Sequence, residues 1–157
     1  PGDVGYPIRG MFKSGYLYLH NFEVDRWPAG DPETGYMNCD GSPTKTEILK
    51  RRHDSAEGKY WQRAFGKRPG EELYNVVADP DCLNNLIDDP EMAEVRDELS
   101  AQLWDELRAQ GDPRLTGEGG PLDENPVADP SLRGFYSRFL NGEIGVAGWI
   151  NASDVEK

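Results

Sequence analysis

The strongest period in the sequence is helical. Met92, Val95, Leu99, Leu103 and Leu107 recur at spacings of three and four, which puts one apolar stripe on an amphipathic helix. Asp89-Pro90-Glu91 opens that helix with start chemistry, and Gly111 followed by Asp112-Pro113 ends it. Glu94, Asp97, Glu98, Asp105 and Glu106 line the other side, so the pattern predicts a surface helix packed on a sheet. The period switches to two near the N-terminus. Ile8, Met11 and Phe12 precede Lys13-Ser14-Gly15, and Tyr16 to Phe22 is rich in strand formers. Residues 6–22 therefore read as a β-hairpin. Tyr16, Tyr18 and His20 share one face of its second strand, and Leu17, Leu19 and Asn21 share the other. Apolar residues on both faces place that strand inside a larger sheet. Glu72 to Val77 reads as a third strand, ended by Asp79-Pro80-Asp81.

Between hairpin and third strand the pattern weakens. Residues 23–43 form a long connection with three prolines and three glycines, a length that points to function. Ser42-Pro43-Thr44 has the form of an N-cap followed by proline in the first turn, predicting a helix whose apolar anchors are Ile48 and Leu49. A second short helix is expected over 56–65, with Tyr60, Trp61 and Phe65 as its buried side. Residues 112–134 read as irregular. The apolar tail at 135–150, including Phe135, Phe139, Ile144, Trp149 and Ile150, is expected to dock rather than float. These elements give an α+β fold: a small antiparallel sheet of about four strands covered by one long amphipathic helix, with irregular loops and a C-terminal tail. Three strands are visible, so a missing strand or partner is expected.

Charge sharpens this picture. The 157 residues hold 29 acidic and 17 basic side chains, a net charge of −12. The balance argues against general nucleic-acid binding. Residues 1–72 are neutral, and most of the acidity lies in 73–109. The neutral part contains a basic cluster, Lys45, Lys50, Arg51, Arg52, Lys59, Arg63, Lys67 and Arg68, against only Glu47, Asp54 and Glu57. Such a cluster is either a solvated helix face with internal ion pairs or a surface that steers an anionic ligand. No apolar run approaches a membrane span of about 18 residues, and the N-terminus lacks a signal-peptide pattern.

Most familiar chemistries are missing. His20 and His53 are the only histidines, and Cys39 and Cys82 lack the spacing of a zinc site. The carboxylates Asp79, Asp81, Asp88 and Asp89 do not follow an EF-hand pattern and read as turn and cap residues. No nucleophile elbow or phosphate loop occurs. Asp40 stands out because it sits in the long connection, just before a helix start and beside the basic segment.

Two stretches carry a resemblance. Glu71-Glu72-Leu73-Tyr74-Asn75-Val76-Val77-Ala78-Asp79-Pro80-Asp81, continuing to Asn84-Asn85-Leu86, resembles the E-L-Y-D-L-x-x-D-P-x-E-x-x-N-L segment of the C-terminal subdomain of type I sulfatases. Gly5-Tyr6-Pro7-Ile8-Arg9-Gly10 with Tyr16 to Phe22 is similar to the preceding hairpin, above all in the heparan N-sulfatase (sulfamidase)-like group. Arg26-Trp27-Pro28 and Ser42-Pro43-Thr44-Lys45 agree with that group. The match spans roughly residues 5–115. It implies a sulfatase C-terminal subdomain over 1–115, with 116–157 as a Pro/Gly-rich extension ending in the docking tail.

The resemblance also implies what lies elsewhere. In the family, this subdomain follows a large domain resembling alkaline phosphatase, which holds calcium and a formylglycine nucleophile. That residue comes from a C/S-x-P-x-R motif, and neither Cys39-Asp40-Gly41-Ser42 nor Cys82-Leu83-Asn84-Asn85 fits it. No catalytic or metal residue is carried over to this chain, which alone is expected to be inactive. The implied partners are an N-terminal sulfatase domain and a sulfated carbohydrate, and the implied compartment is periplasmic or secreted. The parent enzyme would hydrolyse sulfate esters or sulfamates, with the present residues shaping the pocket. Arg26, Asp40, Lys45 and His53 are the candidate substrate contacts: Arg26 and Lys45 for anionic groups, Asp40 for hydroxyls. The competing role for each is surface ion pairing. The alternative function is a non-catalytic carbohydrate-binding or interaction module with the same fold.

Overall fold

The structure is a computed structural model that describes residues 5–117, 123, 125 and 129–156. The fold is α+β, with a three-stranded antiparallel sheet and one long helix. The chain forms two compact units, each built from separate stretches of sequence. One contains 24–68 together with the described C-terminal residues from 129 onward, and the other contains 7–23 and 69–125. Part of the 112–134 stretch read as irregular lies outside the described residues.

The sheet belongs to the second unit. Strands β1 (Ile8–Lys13) and β2 (Tyr16–Asn21) form the hairpin, and β3 (Glu71–Asn75) pairs antiparallel with β2. The order β1-β2-β3 puts the doubly apolar strand in the middle. Ser14 and Gly15 both have positive φ, 52° and 83°, the requirement of a two-residue hairpin turn whose twist matches the strands. Gly10 is needed opposite Leu19: a Cβ there would lie 2.8 Å from the Leu19 Cδ2.

A fourth strand is not formed, for a local reason. The Leu73 amide donates to Asn85 Oδ1 at 2.8 Å, and the Leu86 amide donates to the Leu73 carbonyl at 2.7 Å. The turn after β3 folds back and satisfies the edge that another strand would take.

Helix α3 (Ala93–Gln110) covers one sheet face, entered through a 3-10 turn at Pro90–Met92. Asp89 accepts from the Glu91 amide at 2.9 Å, and Gly111 at φ 66° caps the other end. Leu99, Leu103 and Leu107 are buried against Tyr18 and Leu73, while Met92 and Val95 pack at the margin. Polar pins flank this core. Lys13 donates to Glu98 at 2.8 Å, and Arg9 to Asp112 at 2.7 Å. The Tyr18 hydroxyl donates to Glu71; burial first, then that bond, pushes its pKa up to about 12. On the opposite face of β1, Ile8 and Phe12 remain exposed.

Among its described residues, the first unit has no sheet. Helices α1 (Pro43–Lys50) and α2 (Gly58–Ala64) pack with the long connection around Tyr36, Leu49 and Phe65. Tyr60 departs from expectation. It is half exposed, because seven residues of helix turn only one narrow side inward, and Trp61 takes it. A short helix, α4 (Phe135–Leu140), and the tail form a cluster around Phe135, Ala147 and Ile150, so the tail docks. Among the described residues, no helix is long and apolar enough to cross a membrane.

Two outcomes test this account of the sheet unit. Leu103→Ala removes a side chain packed between helix and sheet and lowers unfolding free energy by about 3 kcal/mol in denaturant titration. His20 lies with its ring centroid 4.7 Å from that of Trp104 and 4.8 Å from that of Phe22, and burial holds its pKa below the ordinary value. The unfolded chain then binds a proton that the fold resists. Stability from this residue is full above the ordinary histidine pKa and declines as pH falls through it toward the folded value. An NMR titration of the His20 ring, with melting curves across the same pH range, reads both quantities.

Candidate functional site

The connection over 24–42 is long but not loose. The Gly30 amide closes a turn onto the Trp27 carbonyl at 3.2 Å. At φ 91°, Gly30 lets the strand of chain at 37–38 pass close by, since a Cβ there would lie 2.9 Å from the Met37 amide nitrogen. A 3-10 turn at Pro32–Thr34 follows, capped by Gly35 in the left-handed region. Tyr36 is left-handed too, at φ 54°, which costs about 1–3 kcal/mol for a residue with a bulky side chain. Its ring is fully buried, and its hydroxyl accepts from Trp61 Nε1 at 3.0 Å and donates to Glu156 at 2.8 Å. Ring burial and these two bonds hold the strained backbone in place.

Lys45 completes the loop from inside. It sits in the first turn of α1, where the Ser42 hydroxyl accepts from its amide at 3.1 Å. Its Nζ donates to the carbonyls of Gly35 at 2.7 Å, Tyr36 at 3.2 Å and Cys39 at 2.5 Å. An ammonium has three protons, and all three are committed. Burial pulls its pKa below the ordinary lysine value. The expectation that Lys45 contacts substrate therefore gives way to a structural role: with 2% exposure and no free proton, it shapes the loop instead of meeting a ligand.

The tail braces the same loop from outside. The Gly41 amide donates to the Trp149 carbonyl at 2.7 Å, and Trp149 Nε1 donates to the Met37 carbonyl at 3.0 Å. Asn151 Nδ2 donates to Thr46 Oγ1 at 3.1 Å, and that hydroxyl donates to Asp154 at 2.6 Å. Glu156 meets Arg52 at 3.2 Å, and its amide donates to the Pro32 carbonyl at 3.1 Å. Sequence reasoning foresaw that the tail docks but not where. Its contacts with the loop are mostly single polar groups and backbone atoms, which leave no periodic trace.

Asp40 emerges from this frame exposed, between Cys39, whose carbonyl Lys45 holds, and Gly41, whose amide Trp149 holds. A carboxylate on a fixed backbone can accept hydrogen bonds from vicinal hydroxyls without first ordering its loop. Trp149, whose carbonyl holds the neighbouring Gly41, keeps 40% of its surface exposed while its indole nitrogen is tied down. Arg26 is half buried and donates to the Gly5 carbonyl at 3.0 Å. His53 is exposed in the turn after α1 and, among the described residues, makes no hydrogen bond or ion pair. The loop thus gathers Asp40 and Lys45, while Arg26 and His53 stand at its start and beyond the end of α1.

The loop holds no paired nucleophile and base. Cys39 is a free thiol whose nearest polar contact is the Asp40 carbonyl at 3.8 Å, and Cys82 is also free. No group of three or more His, Cys, Asp or Glu residues among those described is placed to hold a metal ion. The residues present do not fit a calcium–formylglycine centre, and no chemical step is derived through one. What the arrangement offers is recognition: a rigid edge with an acceptor, an aromatic face and nearby cations.

Replacing Lys45 tests the frame. Lys45→Met removes the ammonium donor from the Gly35 and Cys39 carbonyls, while the Tyr36 carbonyl keeps the Cys39 amide, and lowers the stability of this unit by about 3 kcal/mol. The indoles of Trp27 and Trp61, both packed against Tyr36 or its neighbours, report the loss as a fluorescence change at lower denaturant. In comparisons with known proteins, the chain matches no family model and no curated relative.

Proposed function

We propose that this chain is the C-terminal part of a type I sulfatase similar to the heparan N-sulfatases, acting on a sulfated carbohydrate. In this reading, it shapes the entrance of the substrate pocket and supports the catalytic domain, and the nucleophile and calcium belong to that domain. One observation carries the proposal. The residues of the resemblance fall on neighbouring strands of one sheet and the helix that covers it: the Tyr-Pro-x-Arg hairpin is β1 and β2, the Glu-Leu-Tyr-Asn segment is β3 beside β2, and the long helix packs on them. The exposed Ile8 and Phe12 on the sheet face away from α3 suit a subdomain that packs on something larger.

The contacts offered to the sugar are Arg26, Asp40 and His53, with Lys45 as a positioning residue that sets the loop bearing Asp40. The alternative, a non-catalytic carbohydrate-binding module, is favoured by one feature. Trp149 presents a half-open indole on a braced backbone, an arrangement suited to stacking on a sugar ring. Both readings share the ligand class and differ in whether chemistry follows binding.

The test uses the complete natural polypeptide that carries these residues. Mass spectrometry is expected to find a formylglycine, and the protein is expected to release sulfate from an N-sulfated or O-sulfated disaccharide. Absence of both overturns the sulfatase reading and leaves the binding module. Within the active protein, Asp40→Asn raises KM for the disaccharide about tenfold, with kcat nearly unchanged, because it removes binding shared by ground and transition states. A small aryl sulfate, which does not reach the loop, shows no such change.

A further inference from the structure

The basic segment divides into two classes once each cation's neighbours are known. Arg51 is paired with Glu47 and Glu57, Arg52 with Glu156, and Lys45 with backbone carbonyls. Lys50, Lys59, Arg63 and Lys67 are exposed, and no carboxylate among the described residues pairs with any of them; the last three lie on α2 or just beyond it. Lys59 and Arg63 lie four residues apart on α2, so they share a face of that helix. Lys67 places its Nζ 5.2 Å from the centroid of the Trp27 ring, and that ring lies 6.2 Å from Trp61, which α2 carries between Lys59 and Arg63.

We propose that Lys59, Arg63 and Lys67 form an anion-binding strip for a sulfated oligosaccharide, in addition to the loop that carries Asp40. The identity of the ligand rests on the sulfated-carbohydrate reading above; the existence of the strip rests on the three unpaired cations. A chain with a net charge of −12 gains nothing in solubility from three clustered, uncompensated cations. Their field is short-ranged, since charges separated by more than about 8 Å are screened at physiological salt. A short sulfated oligosaccharide fits that limit. Its sulfates present oxygens to two ammonium groups and one guanidinium fork. A nucleic-acid duplex, with one charge per about 1.7 Å along its axis, needs more than three cations and is repelled by a chain whose net charge is −12.

The experiment is calorimetric titration of the protein with a heparin-derived octasaccharide, at low and at physiological salt. The octasaccharide is expected to bind, its fully desulfated form not to bind, and affinity to fall with salt. The triple variant Lys59→Gln, Arg63→Gln, Lys67→Gln, with unchanged circular dichroism and melting, weakens binding about tenfold or more as the released counterions are lost. Lys59→Arg with Lys67→Arg keeps it. A labelling measurement on the unaltered protein avoids any folding artefact: bound octasaccharide shields Lys59 and Lys67 from an amine-reactive acetylating reagent and leaves Lys13 as reactive as before. The inference is overturned if the octasaccharide does not bind, if the folded triple variant binds as well as the parent, if Lys59 and Lys67 are not shielded, or if single-stranded DNA of equal charge binds as tightly. None of these readouts requires sulfate release, so failure here is separate from failure of the sulfatase reading.

Discussion

One ammonium group organises the unit built around the long connection. Lys45 extends from the first turn of α1 into a loop that has no regular hydrogen-bond ladder, and there it gathers three carbonyls, of which that of Tyr36 also accepts from the Cys39 amide at 3.0 Å. Everything around it follows from that arrangement. Ser42 and Pro43 fix where α1 starts, and hence where the lysine stem points. Gly35 and Tyr36 adopt left-handed backbones, which turn their carbonyls toward the same point. The buried Tyr36 ring, tied to Trp61 and Glu156, offsets the strain of that turn. A buried charge is normally a liability, yet here the donors and acceptors match in number.

The two units solve stability in different ways. In the sheet unit, apolar burial does most of the work: a leucine stripe meets Tyr18 and Leu73, and polar pins such as Arg9 with Asp112 set the helix's position at the margins. The Arg9 guanidinium holds the Asp112 carboxyl below its ordinary range, as expected for a pair with only 11% of the carboxylate side chain exposed. The loop unit lacks such a stripe. Trp27, Tyr36, Trp61 and Phe65 cluster there, and side-chain bonds to backbone atoms supply the specificity that a regular ladder would give. Rigid presentation of a loop, more than depth of a pocket, is the property that results.

This contrast explains what could be read from the sequence. Periodic elements were legible: the hairpin with its Ser14-Gly15 turn, the central position of β2, the stripe of α3 and the Ser42 cap each leave a local signature. The strand count was overestimated because the edge of β3 is closed by Asn85 and the Leu86 amide, contacts with no period at all. Tyr60 looked like a core residue because aromatic character was read without the narrowness of a seven-residue helix. For the candidate site, the loop and Asp40 were visible as a long proline- and glycine-bearing connection before a helix cap. The role of Lys45 was not, since a lysine beside other basic residues has the same letter whether it meets a ligand or a carbonyl. Trp149, Asp154 and Glu156 were invisible as partners because they act across a large separation in sequence.

That separation bears on how the protein is made. Tyr36 and Glu156 are 120 residues apart, and Met37 and Trp149 are 112 apart. At a synthesis rate of about 5–20 residues per second, the loop waits several seconds on the ribosome for the segment that braces it. The sheet unit reaches its third strand and its long helix sooner. During that interval, the aromatic cluster of the loop unit stands without its outer wall. The nascent chain is then most exposed to proteases and to premature association at the surface that the tail later covers.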